Sequence, residues 1–208
     1  VGFSVASCDE ELTIWDPQVK DLSGRFVAEL QSEDQTVTYL EYSDHMEMQL
    51  FNTADDVANE MWVHDIHDDI PMKSKVMFEG TATSFKSKSL NFNDLGENVS
   101  AITLPEDAPL GLGEVTTEDQ WGIKSGIVEA KILKDAATTV SGGKADSLFM
   151  KVIYLSGTVS FESYRVPEVL WADPDKEEFA WKVTSLAHDN TLDETYVISG
   201  HRYTGFSE

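Results

Sequence analysis

Hydrophobic residues in this chain recur at every second position, and that period constrains the fold more than any other feature of the sequence. Phe26, Ala28 and Leu30 alternate with other residues, Val37 and Tyr39 repeat the pattern, and Met46, Met48 and Leu50 stand opposite Glu47 and Gln49. A step of two places alternate side chains on opposite faces of a strand, so a sheet with one face turned to a core is predicted. Strand character resumes at Met61-Trp62-Val63 and recurs at Ser74 to Phe78, Ser87 to Phe92, Ile127 to Leu133, Leu148 to Leu155 and Thr158 to Phe161. Turn formers at Asn93-Asp94, Ser141-Gly142-Gly143 and Ser156-Gly157 separate several of them. Helical signals are few. Asp16-Pro17 reads as an N-cap and first helical residue for a short helix to about Asp21, and Thr53-Ala54-Asp55-Asp56 has capping-box spacing with room for barely one turn. The predicted fold class is all-β, an antiparallel barrel or sandwich with one or two short helices.

Two segments interrupt the pattern. Leu104 to Gly122 carries Pro105, Pro109, Gly111 and Gly113, which predicts a long loop or crossover. Gly157 to Leu192 is too apolar for a solvated linker, with Tyr164, Val166, Val169, Leu170, Trp171, Phe179 and Trp181, yet Pro167 and Asp173-Pro174 break any regular element. It is expected to fold back onto the sheet as an extra strand, a packed flap or a lid over a ligand mouth.

At 208 residues the chain is long enough for one all-β domain with a core of its own. Its net charge of -23 excludes the counterion-release chemistry of nucleic-acid binding and opposes attraction to an anionic membrane surface. Any membrane attachment must then come from a covalent anchor. Val5-Ala6-Ser7-Cys8 fits the bacterial lipobox, in which small residues precede a cysteine that becomes acylated, and Cys8 is the one cysteine of the chain. Residues 1–20 are expected to hold a signal-peptide remnant, the lipobox and a tether, with residues 21–208 forming the barrel and 157–192 an insertion or flap. The expected location is extracytoplasmic, lipid-anchored to the bacterial cell envelope at the outer membrane.

Signals for chemistry are weak. A Gly-x-Ser-x-Gly elbow and alternating βα units are both absent, which removes the usual scaffold of a serine hydrolase. Ser199 and His201 lie two apart on one predicted strand face, with no evident acid to orient the imidazole. His64-Asp65-Ile66-His67-Asp68-Asp69 is the densest set of metal-ligand types, but a spacing of three on a strand turns the two imidazoles to opposite faces unless the chain turns after Asp65. Asp173, Asp175, Glu177 and Glu178 read as a solvated acidic loop. No catalytic residue, metal site or cofactor is predicted.

Lys134-Asp135-Ala136-Ala137-Thr138-Thr139 running on to Asp146-Ser147-Leu148, together with Val197-Ile198-Ser199-Gly200-His201-Arg202-Tyr203-Thr204-Gly205-Phe206, resembles the family of bacterial lipoproteins called lipid-binding putative hydrolases. The resemblance extends from about Asp21-Leu22-Ser23-Gly24 through Ser207. It implies a lipocalin-like or calycin-like barrel on a lipidated, exported protein with affinity for lipids, and the segment Gly157 to Leu192 is a departure from it. In lipocalins a Gly-x-Trp opens the first strand and an Arg from the last strand covers the ring. Gly24, Phe26, Gly200 and Arg202 could close this barrel in the same way, with Phe26 as the aromatic ring. On the last strand, predicted over Tyr196 to Phe206, Ile198, Gly200 and Arg202 share one face, and Ser199, His201 and Tyr203 the other.

The leading functional expectation is therefore a binding protein for a lipid or other small hydrophobic ligand held inside the barrel. Phe26, Tyr39, Met48, Trp62, Phe78 and Phe149 are the inward candidates, with Trp171 and Trp181 as lid residues. The alternatives are an envelope interaction module that grips a protein or glycan through its loops, and a weak hydrolase.

Overall fold

The structure is a computed structural model that describes residues 19–42, 46–67, 69–78, 83–98 and 101–205. Ten strands form one antiparallel sheet: β1 (Gly24–Ser32), β2 (Thr38–Leu40), β3 (Glu47–Asn52), β4 (Glu60–Asp65), β5 (Lys73–Phe78), β6 (Ser84–Ser87), β7 (Val115–Thr138), β8 (Lys144–Arg165), β9 (Phe179–His188) and β10 (Glu194–Arg202). Neighbours run β10-β1-β3-β4-β5-β6-β7-β8, and β10 also pairs with β8, so eight strands close into a barrel. The sheet is thus the predicted barrel rather than a sandwich, and closure gives each of these eight strands a hydrogen-bonded neighbour on both sides for part of its length. Short helices take the form of three-residue 3-10 turns such as Phe92–Asp94. The described part of the segment predicted as Pro17–Asp21 is a hydrogen-bonded turn, in which Leu22 N–H donates to the Val19 carbonyl at 3.0 Å.

β8 changes partner along its length. Ser147 to Tyr154 pairs with β10 inside the barrel, whereas Gly157 to Arg165 pairs with β9 outside it. β7 follows β8 throughout, from Val115 opposite Glu162 to Thr138 opposite Lys144. A three-stranded extension therefore leaves the barrel and reaches roughly 30 Å along β8, at ~3.3 Å per residue. This corrects two expectations. Val115 to Gly122 is strand and strand bulge rather than loop, and Ser156-Gly157 lies within one continuous strand instead of a turn.

Ser156 and Gly157 are needed at that junction for a different reason. Ser156 N–H donates to Asp193 Oδ1 at 3.0 Å, its carbonyl accepts from Asp189 N–H at 3.1 Å, and its hydroxyl accepts from Gly122 N–H at 3.0 Å. These bonds satisfy the backbone where the ladder passes from one partner to the other. At Gly157 a Cβ would collide with the Ala187 carbonyl oxygen, so only a glycine lets β9 approach. Sequence alone reads both residues as turn formers, because it does not show the neighbour they accommodate.

Two cores result. The barrel interior holds Phe26, Ala28, Met46, Met48, Met61, Val63, Val76, Ile127, Met150, Val152, Tyr154 and Ile198, all at 0 % exposure. A side chain with no accessible surface borders no water-sized void, so the middle of the barrel is filled by its own side chains. The second core joins Phe92, Ile123, Leu155, Val159 and Phe161, with Trp181 and Leu186 of β9 packed against it. The segment 157–192 thus supplies one strand edge and part of a satellite core. Gly157→Ala is expected to lower stability by ~1–3 kcal/mol in a urea titration. Gly96→Ala, where a Cβ meets nothing within 4 Å, should change it by less than ~0.5 kcal/mol.

Candidate functional site

A cleft of about 650 Å³ opens on the outer wall of the barrel, between the outward faces of β4 and β5 and the segment 88–96. It arises because β6 is short. β6 pairs with β7 only at Ser84 and Phe85, so beyond Ser87 the wall is left without a strand between β5 and β7. Two serine hydroxyls bridge the seam in place of ladder bonds: Ser74 Oγ donates to the Ser125 carbonyl at 3.2 Å, and Ser87 Oγ accepts from Ile127 N–H at 2.9 Å. Both serines are buried and line the floor of the cleft.

The opposite wall is held by β7. Gly126 has no side chain, and a Cβ there would stand 2.7 Å from Leu90 Cδ2 and 3.3 Å from Leu95 Cδ1, so these leucines seat directly on the strand. The buried Lys124 ammonium donates to the Phe92 carbonyl at 2.8 Å and lies 4.4 Å from the centre of its ring. Asn98 Nδ2 donates to the Gly122 carbonyl at 2.8 Å. Asn91 caps the 3-10 turn through its side chain, which accepts from Asn93 N–H at 3.2 Å. The strand expected over Ser87 to Phe92 is instead the short β6, Ser84–Ser87, and this turn carries the chain out of the sheet after it.

The two Lys-Ser-Lys triplets, Lys73-Ser74-Lys75 and Lys86-Ser87-Lys88, explain both surfaces of this wall. Period-two geometry buries each central serine in the seam and turns the flanking lysines outward. Lys73 and Lys75 Nζ lie 5.6 and 5.4 Å from the centre of the Trp62 ring, and Lys75 also pairs with Glu60 at 3.5 Å. Lys88, Met77 and Leu95 also line the cleft. The repeated triplet was the available signal for this site; a reading directed at aromatic residues passes over it.

The residues expected inside the barrel divide. Phe26 and Met48 point inward as part of the filled core, and Phe78 is half-buried against it, 6.0 Å from the Phe85 ring. Tyr39, Trp62 and Phe149 do not point inward. Tyr39 is exposed, with its ring against Tyr196, and Phe149 is exposed beside Lys86, Glu129 and Lys131. Trp62 shares the outer face of β4 with Glu60 and His64, while Met61, Val63 and Asp65 are buried. The error has one source: alternation shows that two faces exist, and apolar residues occupy both. Trp171 Nε1 donates to the Val166 carbonyl and Trp181 Nε1 to the Asp107 carbonyl, each at 2.8 Å, and neither lines the cleft.

At the barrel end, the Arg202 guanidinium carbon lies 4.8 Å from the centre of the Phe26 ring. The same group donates to Asp146 Oδ2 and to the Asp21 carbonyl, each at 2.9 Å, and to the Ser23 carbonyl at 2.5 Å. A Cβ on Gly24 would meet this guanidinium, and one on Gly200 would meet the Val27 carbonyl oxygen.

Ser199 Oγ donates to Glu29 Oε1 at 3.0 Å, and His201 Nδ1 lies 3.1 Å from the Arg202 carbonyl. Asp65 is buried, and its carboxylate accepts from His67 N–H at 3.1 Å and Ile70 N–H at 2.8 Å, so the chain does turn after it. Among the described residues no three His, Cys, Asp or Glu side chains converge as metal ligands. In the acidic loop, Asp173 accepts from Asp175 N–H, Glu178 from Ala172 N–H, and Glu177 pairs with Arg165. Cys8 and Phe206 lie outside the described residues.

A closed antiparallel barrel with an arginine clamped over the first-strand aromatic defines a lipocalin-like protein. More specifically, the chain belongs to the family described as lipid-binding putative hydrolase, whose family model matches residues 11–207. That description attaches lipid binding to the family. No curated protein matches the sequence.

Because Ser87 carries the bond that closes the cleft floor, Ser87→Ala should leave Ile127 N–H buried without an acceptor. A loss of ~1–3 kcal/mol is expected in chemical denaturation, and a change below ~0.5 kcal/mol would remove this role.

Proposed function

We propose that this protein binds a lipid on the outer wall of its barrel, in the cleft between Trp62 and Leu95, while anchored to the bacterial cell envelope through an acylated Cys8. The observation that carries the reading is the filled barrel interior combined with an open cleft of about 650 Å³ beside it. A volume of this size lies within the ~300–1,000 Å³ range of small-molecule sites. Trp62, Met77 and Leu95 offer apolar surface, the lysine stems extend it, and the serines of the seam give a polar floor. The family description supports lipid as the ligand class, and Val5-Ala6-Ser7-Cys8 supports the anchor.

Isothermal titration with dodecanoate, below its micellar concentration, should give saturable binding at one site per chain. Trp62→Ala combined with Leu95→Ser should weaken it at least tenfold, whereas Trp171→Ala should leave it within twofold. The opposite ranking would move the site to the extension. The anchor has a separate test. In a Gram-negative host expressing the chain behind a complete lipoprotein signal, labelled palmitate should enter the native protein but not Cys8→Ser, and label in both would exclude Cys8 as the acylated residue.

A further inference from the structure

The molecule carries 38 Asp and Glu against 15 Lys and Arg, yet four of those 15 bases fall between residues 73 and 88, where Glu79 is the one acid. Elsewhere all three arginines and at least two of the eight lysines pair with a carboxylate. Arg25 pairs with Glu47, Lys151 with Glu33, Arg165 with Glu177, Lys182 with Glu162 and Arg202 with Asp146. In the cleft only Lys75 pairs, with Glu60, and among the described residues Lys73 and Lys88 make no ion pair. The second carboxylate of the lining, Asp94, accepts the Ser89 hydroxyl at 2.7 Å. Other described lysines, such as the exposed Lys176, also make no ion pair, but Lys73 and Lys88 stand beside the apolar surface of Trp62, Met77 and Leu95, where they form a local positive site.

Trp62 fixes part of its geometry. Lys73 and Lys75 are two apart on β5 and project from the same face, where their mutual repulsion opposes convergence. The negative face of the indole attracts both, with each Nζ within 5.6 Å of the ring centre. Two cations are thereby held at the edge of a surface built from Trp62, Met77 and Leu95, with Lys88 on the neighbouring wall. Cation and apolar surface side by side match an amphiphile whose head is an oxyanion.

We propose that the cleft selects an acidic amphiphile, a single acyl or alkyl chain ending in a carboxylate or phosphate, with the head held by Lys73, Lys75 and Lys88. This rests on the outer-cleft reading above and adds the charge of the ligand to it. The head forms charge-assisted hydrogen bonds with the ammoniums, and the chain covers Trp62 and Met77. The net charge of the whole molecule repels anions at long range, so the preference originates in these short-range contacts.

Four ligands of one chain length separate the possibilities in isothermal titration: dodecanoate, dodecyl phosphate, dodecyl maltoside and dodecyltrimethylammonium, each below its micellar concentration. The two anions are expected to bind at least tenfold more tightly than the maltoside, and their ranking identifies carboxylate or phosphate as the preferred head. Lys73→Gln with Lys88→Gln should bring the anions to within about threefold of the maltoside, by weakening the anions far more than the maltoside, which loses only the contact of the shortened stems. The single variants and a thermal melt establish that the fold is retained. Equal binding of maltoside and anions would overturn the charge selection and leave the cleft as the lipid site. An anion preference that survives in the double variant would place the head elsewhere, and preference for the trimethylammonium head would overturn the proposal outright. Absence of binding by all four would remove the outer-cleft reading and this inference together.

Discussion

The sheet closes because β10 is hydrogen-bonded along both edges, to β1 from Phe26 opposite Arg202 through Ser32 opposite Tyr196, and to β8 from Glu194 opposite Tyr154 through His201 opposite Ser147. Among the described residues, closure of eight strands around methionine, valine and aromatic side chains leaves the barrel no free interior at its centre. Arg202 then ties the end of that last strand to Phe26, to Asp146 on β8 and to the turn before β1. Because one guanidinium reaches an aromatic face, a carboxylate and two carbonyls, a lysine in its place would lose the planar fork that makes these contacts together.

The same closure determines where the molecule can offer a binding surface. A filled barrel moves ligand recognition to places where the wall is imperfect, and the described wall is imperfect where β6 ends after four residues. Side-chain hydroxyls of Ser74 and Ser87 satisfy backbone groups there, so the seam holds without a continuous ladder. Lysines flanking those serines are turned outward by the same alternation. Five residues of the two triplets, Lys73, Ser74, Lys75, Ser87 and Lys88, therefore line the candidate site, and Ser74 and Ser87 also hold the fold together there.

Much of the barrel was legible in the sequence, and the reason is physical. Alternation is a direct consequence of strand geometry, so β1, β3, β4 and β5 could be read from Phe26, Met48, Met61 and Val76 without knowing their partners. Ser141-Gly142-Gly143 was equally readable, since Gly142 has φ near 84°, a conformation glycine adopts at little cost. What could not be read was partnership. Ser156-Gly157 has the composition of a turn, but its residues serve a strand that exchanges β10 for β9. Trp62 and Phe149 are apolar on strands whose other faces are also apolar, at Met61 and Met150, and only the closed sheet decides which face is inside. The candidate site was hidden for the same reason, because its lysines and serines acquire meaning from the missing length of β6.

An outer cleft also limits how a lipid can be held. An enclosed calyx surrounds an acyl chain, whereas a cleft with one open side covers only part of it, and apolar burial yields about 25 cal/mol per Å² of surface removed from water. Partial coverage by Trp62, Met77 and Leu95 therefore gives less chain-derived affinity than a barrel interior would, and little discrimination between chains of similar shape. Discrimination must then come from the polar end of the ligand, where directional bonds and charge operate. The placement of the lysines at the rim of the apolar surface puts the selective contacts at that end, and the filled barrel is the reason selectivity is needed there.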